Sequence, residues 1–508
     1  MADRLYTSNE ADDVLSALRF ETKLEKATLA KIAFALSLIK DGTNVAQSTG
    51  FSGAEMKRPT FIGEDEVFIR TLISQVYRKP DISEDEFFSN KSIVKNHIDS
   101  GAMLLGQLFK ECGRDPDTLL QRLVNEIEFS GRHEMLGHSL DILVGKTMLR
   151  RGELIIELNN TAKHANSHLA IMGKPGVGKT QFLLKILADI RTQSNYQTNF
   201  IYFDYKGDVV DNTRFLEVAK VQPFRLLQGG QSLPINPFIL PSYDEQTIVV
   251  SAREKAESFA SISSKLGIIQ KGALSEAIRS AYAKRAGSPN PYPDFQDILE
   301  IAITMYDEDG KKDDSLIEVL RDLSDFDLFW KHGNDMPPID RLSNRTILID
   351  LHAMPVLKEL VVYLVIERLY KEMSSLPDSP MKEQRRTIRT ILVIDEAHNY
   401  LGQKNIFLER IIREGRSKGV VVFLASQSPN DYQQKFFNFQ ELLEFVFVFQ
   451  SEGVAPGSIQ DILGCNPKTA RDLQTEIARL EPWQAISRSP EKTEEFVKFT
   501  AEAFYKNY

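Results

Sequence analysis

The sequence predicts an α/β fold built on a mainly parallel sheet, preceded by an all-helical domain and interrupted by a helical insertion. Three observations carry this. Six continuous, largely β-branched apolar runs have the composition of central strands covered on both faces: His168–Met172, Asn199–Phe203, Thr346–Ile349, Thr390–Ile394, Val420–Leu424 and Phe445–Phe449. The first 110 or so residues show apolar spacings of three and four residues instead. The stretch from Glu245 to Asp325 also lacks a strand-like run, and its AREKAESFASISSKL and ALSEAIRSAYAKRA segments read as helices interrupted by SPNPYPD.

In chain order, Leu15, Leu18, Leu24, Leu29, Ile32, Ala33 and Leu36 mark helical periodicity from Leu15 to Leu38. A polar, Gly-containing stretch follows, then a helical pattern over Glu64–Tyr77, an acidic connector and a helix over Ile93–Phe109. Between Arg114 and Asn160 the pattern shifts to short apolar segments, Asp141–Val144 and Glu153–Leu158, which read as strands with Gly145 and Gly152 as turn residues. These shifts predict a helical domain over 1–112, a linker over 113–134, and an α/β domain over 135–508 that carries the insertion at 241–340. No internal repeat or low-complexity tract is evident.

A chain of 508 residues exceeds one small module at about 150 residues per domain, and 42% hydrophobic with 26% charged residues is neither disordered nor membrane composition. Lys and Arg total 62 against 71 Asp and Glu, a net charge of −9, so any nucleic-acid contact must use local basic surface. Cys112 and Cys465 lie far apart with no metal-ligand or redox spacing, as expected in a reducing compartment. The first residues are polar and acidic, unlike a signal peptide, and no stretch has about 18 unbroken apolar residues. The expectation is a soluble cytoplasmic protein with no membrane partner.

Directly after the first central run comes Gly173-Lys174-Pro175-Gly176-Val177-Gly178-Lys179-Thr180, which satisfies G-x-x-x-x-G-K-[ST], and a helical segment opens at Gln181. Glycines let backbone N–H groups face a phosphate, and the helix N-terminus adds its positive end. The expected ATP-binding set is Gly173, Pro175, Gly176, Val177, Gly178, Lys179, Thr180 and Gln181, with Lys179 on the β/γ-phosphates and the Thr180 hydroxyl on Mg²⁺. At the end of Thr390–Ile394 stand Asp395, a second Mg²⁺ ligand, and Glu396, placed to polarise water; that pairing favours an ATPase over a small-molecule kinase. Gln427 follows the next strand, at the edge where open α/β sheets bind nucleotides, and reads either as a γ-phosphate sensor or as a turn residue before Ser428-Pro429. Arg413 and Arg416 flank Gly415 near a helix end, as trans-acting fingers or as cations complementing the helix dipole.

Taken together, these residues resemble the HerA/FtsK class of ring-forming P-loop ATPases. The likeness runs through NSHLAIMGKPGVGKT, FDYKGD (Asp204, Lys206, Asp208), LPINPF (Asn236, Pro237, Phe238), RTILIDLHAM, ILVIDEAHNYL and REGRSKGVVVFLASQSP, over roughly 135 to 508. The resemblance implies a RecA-like core and a homo-hexameric motor that moves double-stranded DNA through a central pore, with nucleotide at subunit interfaces. It raises Arg416, and secondarily Arg413, as trans fingers and Gln427 as sensor. HerA proper usually begins with a small β-barrel. The first 110 residues here instead look like DndE, a small helical DNA-binding protein associated with phosphorothioate DNA modification, through Leu15, Leu18, Thr22, Ile32, Ala33, Ser37, Leu38, His97, Ile98 and Gly101. Lys23, Lys26 and Lys31 are candidate phosphate contacts or, interleaved with Glu21 and Glu25, a solvated helix face. His97 reads as a structural histidine.

The leading function is an ATP-driven DNA translocase or helicase motor serving DNA modification, restriction or anti-phage defence. No acidic metal cluster is expected apart from the ATPase pair, so chemistry on DNA falls to a separate effector such as a nuclease. The alternative is a nucleotide-controlled hexameric scaffold without processive movement, to be separated from the motor by pore-facing lysines, for which Lys265, Lys271 and Lys284 are candidates. A monomeric P-loop switch would leave Arg413 and Arg416 without a target in trans.

Overall fold

The computed structural model describes residues 4–508 except 49, 78, 113, 117–118, 121–122, 124–138, 149–151, 228–230, 241, 263–265, 289, 335–337, 340, 355–356 and 490–494. The chain divides into two compact units, Met1–Met135 and Leu136–Tyr508. Most of the expected linker 113–134, both ends of the expected insertion (241 and 340) and Lys265 lie outside the described residues.

In the first unit the main helices are Asn9–Thr22, Lys26–Lys40, Glu66–Tyr77 and Ile93–Glu111. The periodic stretch Leu15–Leu38 is thus two helices. Lys23 adopts a left-handed conformation (φ 60°) and donates its N–H to the Arg19 carbonyl, which ends the first helix. Both helices face one core, so the apolar spacing continues across the break. The unit is not wholly helical either: β1 (Arg4–Tyr6) pairs antiparallel with β2 (Glu55–Lys57), Leu5 opposite Met56. Three-residue strands are too short for alternation to register in sequence. Gly101 lets Ile93–Glu111 press against Lys26–Lys40, since a Cβ there would fall 1.8 Å from the Ala33 carbonyl oxygen.

The second unit is organised by an eleven-stranded sheet. Its strands are β3 (Asp141–Thr147), β4 (Glu153–Glu157), β5 (Leu169–Met172), β6 (Asn199–Asp204), β7 (Gln222–Arg225), β8 (Ile347–Asp350), β11 (Thr390–Ile394), β12 (Val420–Ser426), β13 (Phe445–Phe449), β14 (Gln484–Arg488) and β15 (Phe496–Ala501). A separate ribbon pairs β9 (Met381–Lys382) with β10 (Arg385–Arg386). The sheet order is β4-β3-β15-β14-β13-β5-β12-β11-β6-β8-β7. From β13 to β7 all pairs are parallel, and β14, β15, β3 and β4 extend the sheet antiparallel.

Residues alternating along the central strands enter opposite cores. Ala170, Met172, Leu392, Ile394, Val422 and Leu424 pack on one face, and Leu169, Ile171, Ile391, Val393, Val421 and Phe423 on the other. Burial on both sides is why these strands read as unbroken apolar runs. Between β7 and β8 lie four helices, Glu245–Ile262, Ile268–Arg285, Phe295–Glu308 and Ser315–Asp325. Their apolar residues join the first of the two cores. Among the described residues no helix is long and apolar enough to cross a membrane.

Candidate functional site

The phosphate loop is pinned between two strand ends. The Gly173 N–H donates to the Ser426 carbonyl at the end of β12 (3.2 Å), and the Lys174 N–H donates to the Gln450 carbonyl just past β13 (2.8 Å). Gly176 and Gly178 take left-handed conformations (φ 81° and 104°) that a side chain would strain. Helix Lys179–Gln193 starts on Gly178 with no side-chain cap, which leaves its first amides for an anion. Lys179 is buried, and its ammonium rests on the carbonyls of Gly173 and Lys174 (3.0 Å to the latter). Burial lowers its pKa, so a phosphate is a better partner for this charge than two loop carbonyls. Thr180 stands one residue further into the helix, and Gln181 accepts a hydrogen bond from the Tyr505 N–H (3.3 Å).

Parallel register brings the acidic pair alongside. Ile394 lies opposite Leu424 in β12, and Met172 opposite Ser426, so Asp395, Gln427 and Gly173 leave three neighbouring strands at one edge. Asp395 is buried and accepts from the Tyr202 hydroxyl (3.0 Å) and the Glu396 N–H (2.9 Å). Burial first, and the charge of Glu396 second, push its carboxyl up to about 6. This is a carboxylate short of positive charge, and together with the Thr180 hydroxyl its oxygen-donor chemistry fits a Mg²⁺ ion.

Glu396 has a left-handed backbone (φ 51°), uncommon outside glycine, and its side chain is buried. Lys206 ion-pairs with one of its oxygens, Gln427 Nε2 donates to the other (3.0 Å), and His398 Nδ1 lies 3.3 Å from the latter. Burial raises the Glu396 pKa, but Lys206 and Gln427 outweigh it and hold the carboxyl below its ordinary value. The turn that presents Lys206 is organised by Asp204, whose carboxylate accepts the N–H groups of Lys206, Gly207, Val209 and Val210 at 2.9–3.2 Å. Asp208 is exposed. Gln427 is therefore tied to Glu396 rather than serving only as a turn residue. Tyr202 and the grip of Lys206 on Glu396 were not foreseen; the one sequence signal was a hydroxyl within the apolar run FIYF.

Arg416 stands at the opposite edge of the sheet, and Arg413 lies about one turn earlier in the same helix. Helix Ile406–Lys418 feeds β12 at its amino end, seven residues from the loop edge, or about 20 Å at strand spacing. Arg413 packs over the Phe437 ring (5.1 Å). Arg416 is exposed, and its side chain has no hydrogen bond or ion pair with any described residue. The helix end is satisfied by others: Arg386 donates to the Ser417 carbonyl (3.3 Å), Arg389 to the Lys418 carbonyl (2.8 Å), and the Gly419 N–H to the Arg416 carbonyl (3.2 Å). Dipole compensation thus does not require Arg416.

The other candidates have structural surroundings. Asn236 anchors a turn, accepting from the Phe238 N–H (2.8 Å) and donating to the Pro293 carbonyl (3.0 Å). Asp294, Asp297 and His332 converge as an acidic cluster that sequence did not foresee. Asp294 and Asp297 form the capping box of helix Phe295–Glu308, Asp297 takes two bonds from Arg285 (2.7 and 2.8 Å), and the His332 N–H donates to Asp294 (2.7 Å). Lys271 pairs with Glu257 (2.6 Å) and Lys284 with Glu300 (3.0 Å). In the first unit Lys26 pairs with Asp12, Lys31 with Asp65 (2.9 Å), and Lys23 lies over the exposed Phe20 ring. His97 is buried between Ser37 (2.8 Å) and the Tyr77 hydroxyl (3.0 Å), and burial pushes its pKa down to about 4.

A phosphate loop at the end of a parallel strand, an acidic pair one strand removed and a covered sheet define a P-loop ATPase of the open α/β kind. Residues 144–373 match the family described as Helicase HerA, central domain, and residues 4–111 match DNA sulphur modification protein DndE. The chain carries a DndE domain at its N-terminus followed by a HerA-like ATPase domain. No curated protein matches it. Among solved structures, VirB4 of Thermoanaerobacter pseudethanolicus is 16% identical at a TM-score of 0.56, over 71% of this chain and 96% of that one. The plasmid coupling protein TrwB with the non-hydrolysable GTP analogue GDPNP is 16% identical at 0.45, over 73% and 91%. DndE from Escherichia coli B7A is 18% identical at 0.17, over 21% of this chain and 98% of that one.

Proposed function

We propose that the protein is an ATP-hydrolysing, ring-forming motor that moves along double-stranded DNA and serves a DNA-modification, restriction or anti-phage defence system together with a separate effector such as a nuclease. The observation that carries this reading is the exposed Arg416 at the sheet edge opposite the phosphate loop, whose side chain has no partner among the described residues. Its own loop lies too far away, so a second copy of the chain is its natural target, and a closed ring gives every copy the same neighbour. The DndE domain supports DNA as the track. The acidic cluster among the described residues, Asp294, Asp297 and His332, is engaged in helix capping and by Arg285, which favours a separate protein for chemistry on DNA.

In the proposed reaction Lys179 leaves the loop carbonyls for the β/γ-phosphates. Thr180 and Asp395 would hold Mg²⁺, which when bound neutralises charge on the phosphate oxygens. Glu396 accepts the proton of the attacking water as oxygen bonds to the γ-phosphorus and the bond to the β–γ bridging oxygen breaks. Gln427, already bonded to Glu396, reports the γ-phosphate, and the neighbour's copy of Arg416 stabilises the charge that develops.

The test is ATP turnover by the purified protein with and without double-stranded DNA, with particle mass from light scattering. A hexamer-sized particle whose turnover DNA stimulates severalfold is expected, and Lys179→Ala should abolish nucleotide binding. An assembled particle with DNA-indifferent turnover would instead select the nucleotide-controlled scaffold, a reading favoured by the carboxylate partners of Lys271 and Lys284. A monomer would remove the ring.

A further inference from the structure

The sheet order gives a bound nucleotide a direction. β12 and β11, with Gln427, Asp395 and Glu396, lie on one side of β5, and β13 and β14 on the other. Lys179 serves the γ-phosphate end, and the amides of the next residues serve the α-phosphate end. The base must then leave past Gln181, away from the acidic pair and towards the side of β14 and helix Phe504–Asn507.

Two aromatic residues with no part in the phosphate chemistry stand there. Trp483 is the turn residue immediately before β14 and has a left-handed conformation (φ 70°), a strained choice for a bulky residue. Its backbone is held at both ends: its N–H donates to the Val177 carbonyl of the phosphate loop (3.1 Å), and its carbonyl accepts from the Ala501 N–H (2.7 Å). Its indole lies so close to Gly178 that a Cβ there would meet the ring at 2.6 Å. Tyr505 meets the indole edge-on, centroids 5.8 Å apart at 69°, and is 58% exposed. It is fixed from below, since its N–H donates to Gln181 and its neighbour Phe504 is buried against Phe215 (5.5 Å) and Tyr508 (5.3 Å). Lys506 lies over both rings, 5.5 and 5.8 Å from their centroids.

We propose that Trp483 and Tyr505 form the nucleobase subsite, an aromatic corner on which the purine of a nucleoside triphosphate stacks while its phosphates occupy the loop. The inference rests on the nucleotide reading given above and adds to it the part of the ligand that no phosphate-loop residue recognises. A stacking surface reads the area of a base rather than its hydrogen-bond edge, so ATP and GTP bind alike and CTP and UTP more weakly.

The test is calorimetric titration of the full-length protein, as wild type, Tyr505→Ala and Tyr505→Phe, with ATP, CTP and inorganic tripolyphosphate. Tyr505→Ala should weaken ATP about tenfold and leave tripolyphosphate unchanged, Tyr505→Phe should restore ATP, and wild type should prefer ATP to CTP. Since Trp330 is the only other tryptophan, the Trp330→Phe protein should show Trp483 emission altered by ATP and not by tripolyphosphate. An unchanged ATP affinity in Tyr505→Ala, or an equal loss for ATP and tripolyphosphate, overturns the subsite while nucleotide binding stands. If wild type binds neither ATP nor tripolyphosphate, the nucleotide reading fails and the subsite with it.

Discussion

The two edges of the central sheet are built on opposite terms. At the carboxyl edge Lys179, Asp395 and Glu396 are buried, and each is held by a named partner. At the amino edge His168, Arg386 and Arg389 satisfy the backbone around the start of β12, and Arg416 is exposed with no side-chain partner among the described residues. One edge gathers the phosphate loop and the acidic pair, and the other presents an exposed arginine a strand's length away. On the proposed function, the reacting unit would be an interface between copies, with each chain carrying halves of two different sites.

The largest effect is expected from Arg416→Ala, for which turnover at saturating ATP should fall about 10³-fold with particle mass unchanged. Mixing Arg416→Ala with Glu396→Gln protein should restore activity, because some interfaces then combine an intact Glu396 with a neighbour's intact Arg416. A mixture as inactive as its parts would place the arginine in cis. Next in size, Glu396→Gln should retain ATP and lose about 10²-fold or more in turnover, and wild-type rates in this variant would take the base away from Glu396. Lys206→Ala should lower kcat about tenfold with KM little changed, since it frees the side chain of Glu396 without touching the phosphate loop; an increase in KM alone would make Lys206 a nucleotide contact.

The smallest effect separates the edges by pH. His168 is fully buried: its Nε2 donates to the Ile412 carbonyl of the arginine-bearing helix, and its Nδ1 accepts from the Val422 N–H. Burial pushes its pKa from 6.5 down to about 4. The neutral ring therefore stabilises fully above pH 6.5, and that stability is lost as pH falls towards 4, where the unfolded chain binds a proton that the folded chain refuses. Amide protection factors along Ile406–Lys418 should fall over that window. Protection that stays constant would mean His168 does not secure the helix.

Six central strands, the phosphate loop and the Asp395–Glu396 pair were legible in sequence because each is a contiguous signal: an apolar run buried on both faces, a spacing of glycines around a lysine, an acidic pair at a strand end. Less legible were β7, four residues beginning Gln-Pro, and β14 and β15, which alternate polar and apolar residues because they extend the sheet antiparallel. The helix break at Lys23 was hidden because both helices share one core, and the β1–β2 pair because three residues carry no period.

The candidate catalytic groups, Lys179, Asp395 and Glu396, were readable from contiguous sequence signals. Only the tertiary structure decided their company: Tyr202 beside Asp395, Lys206 on Glu396, Arg386 and Arg389 relieving Arg416 of the helix end, Trp483 against Gly178. The physical reason is sequence distance. Helical and strand periodicity encode neighbours a few residues apart, whereas the partners of Asp395 and Glu396 come from 193 and 190 residues away, brought into reach only when parallel strands align their ends at one edge.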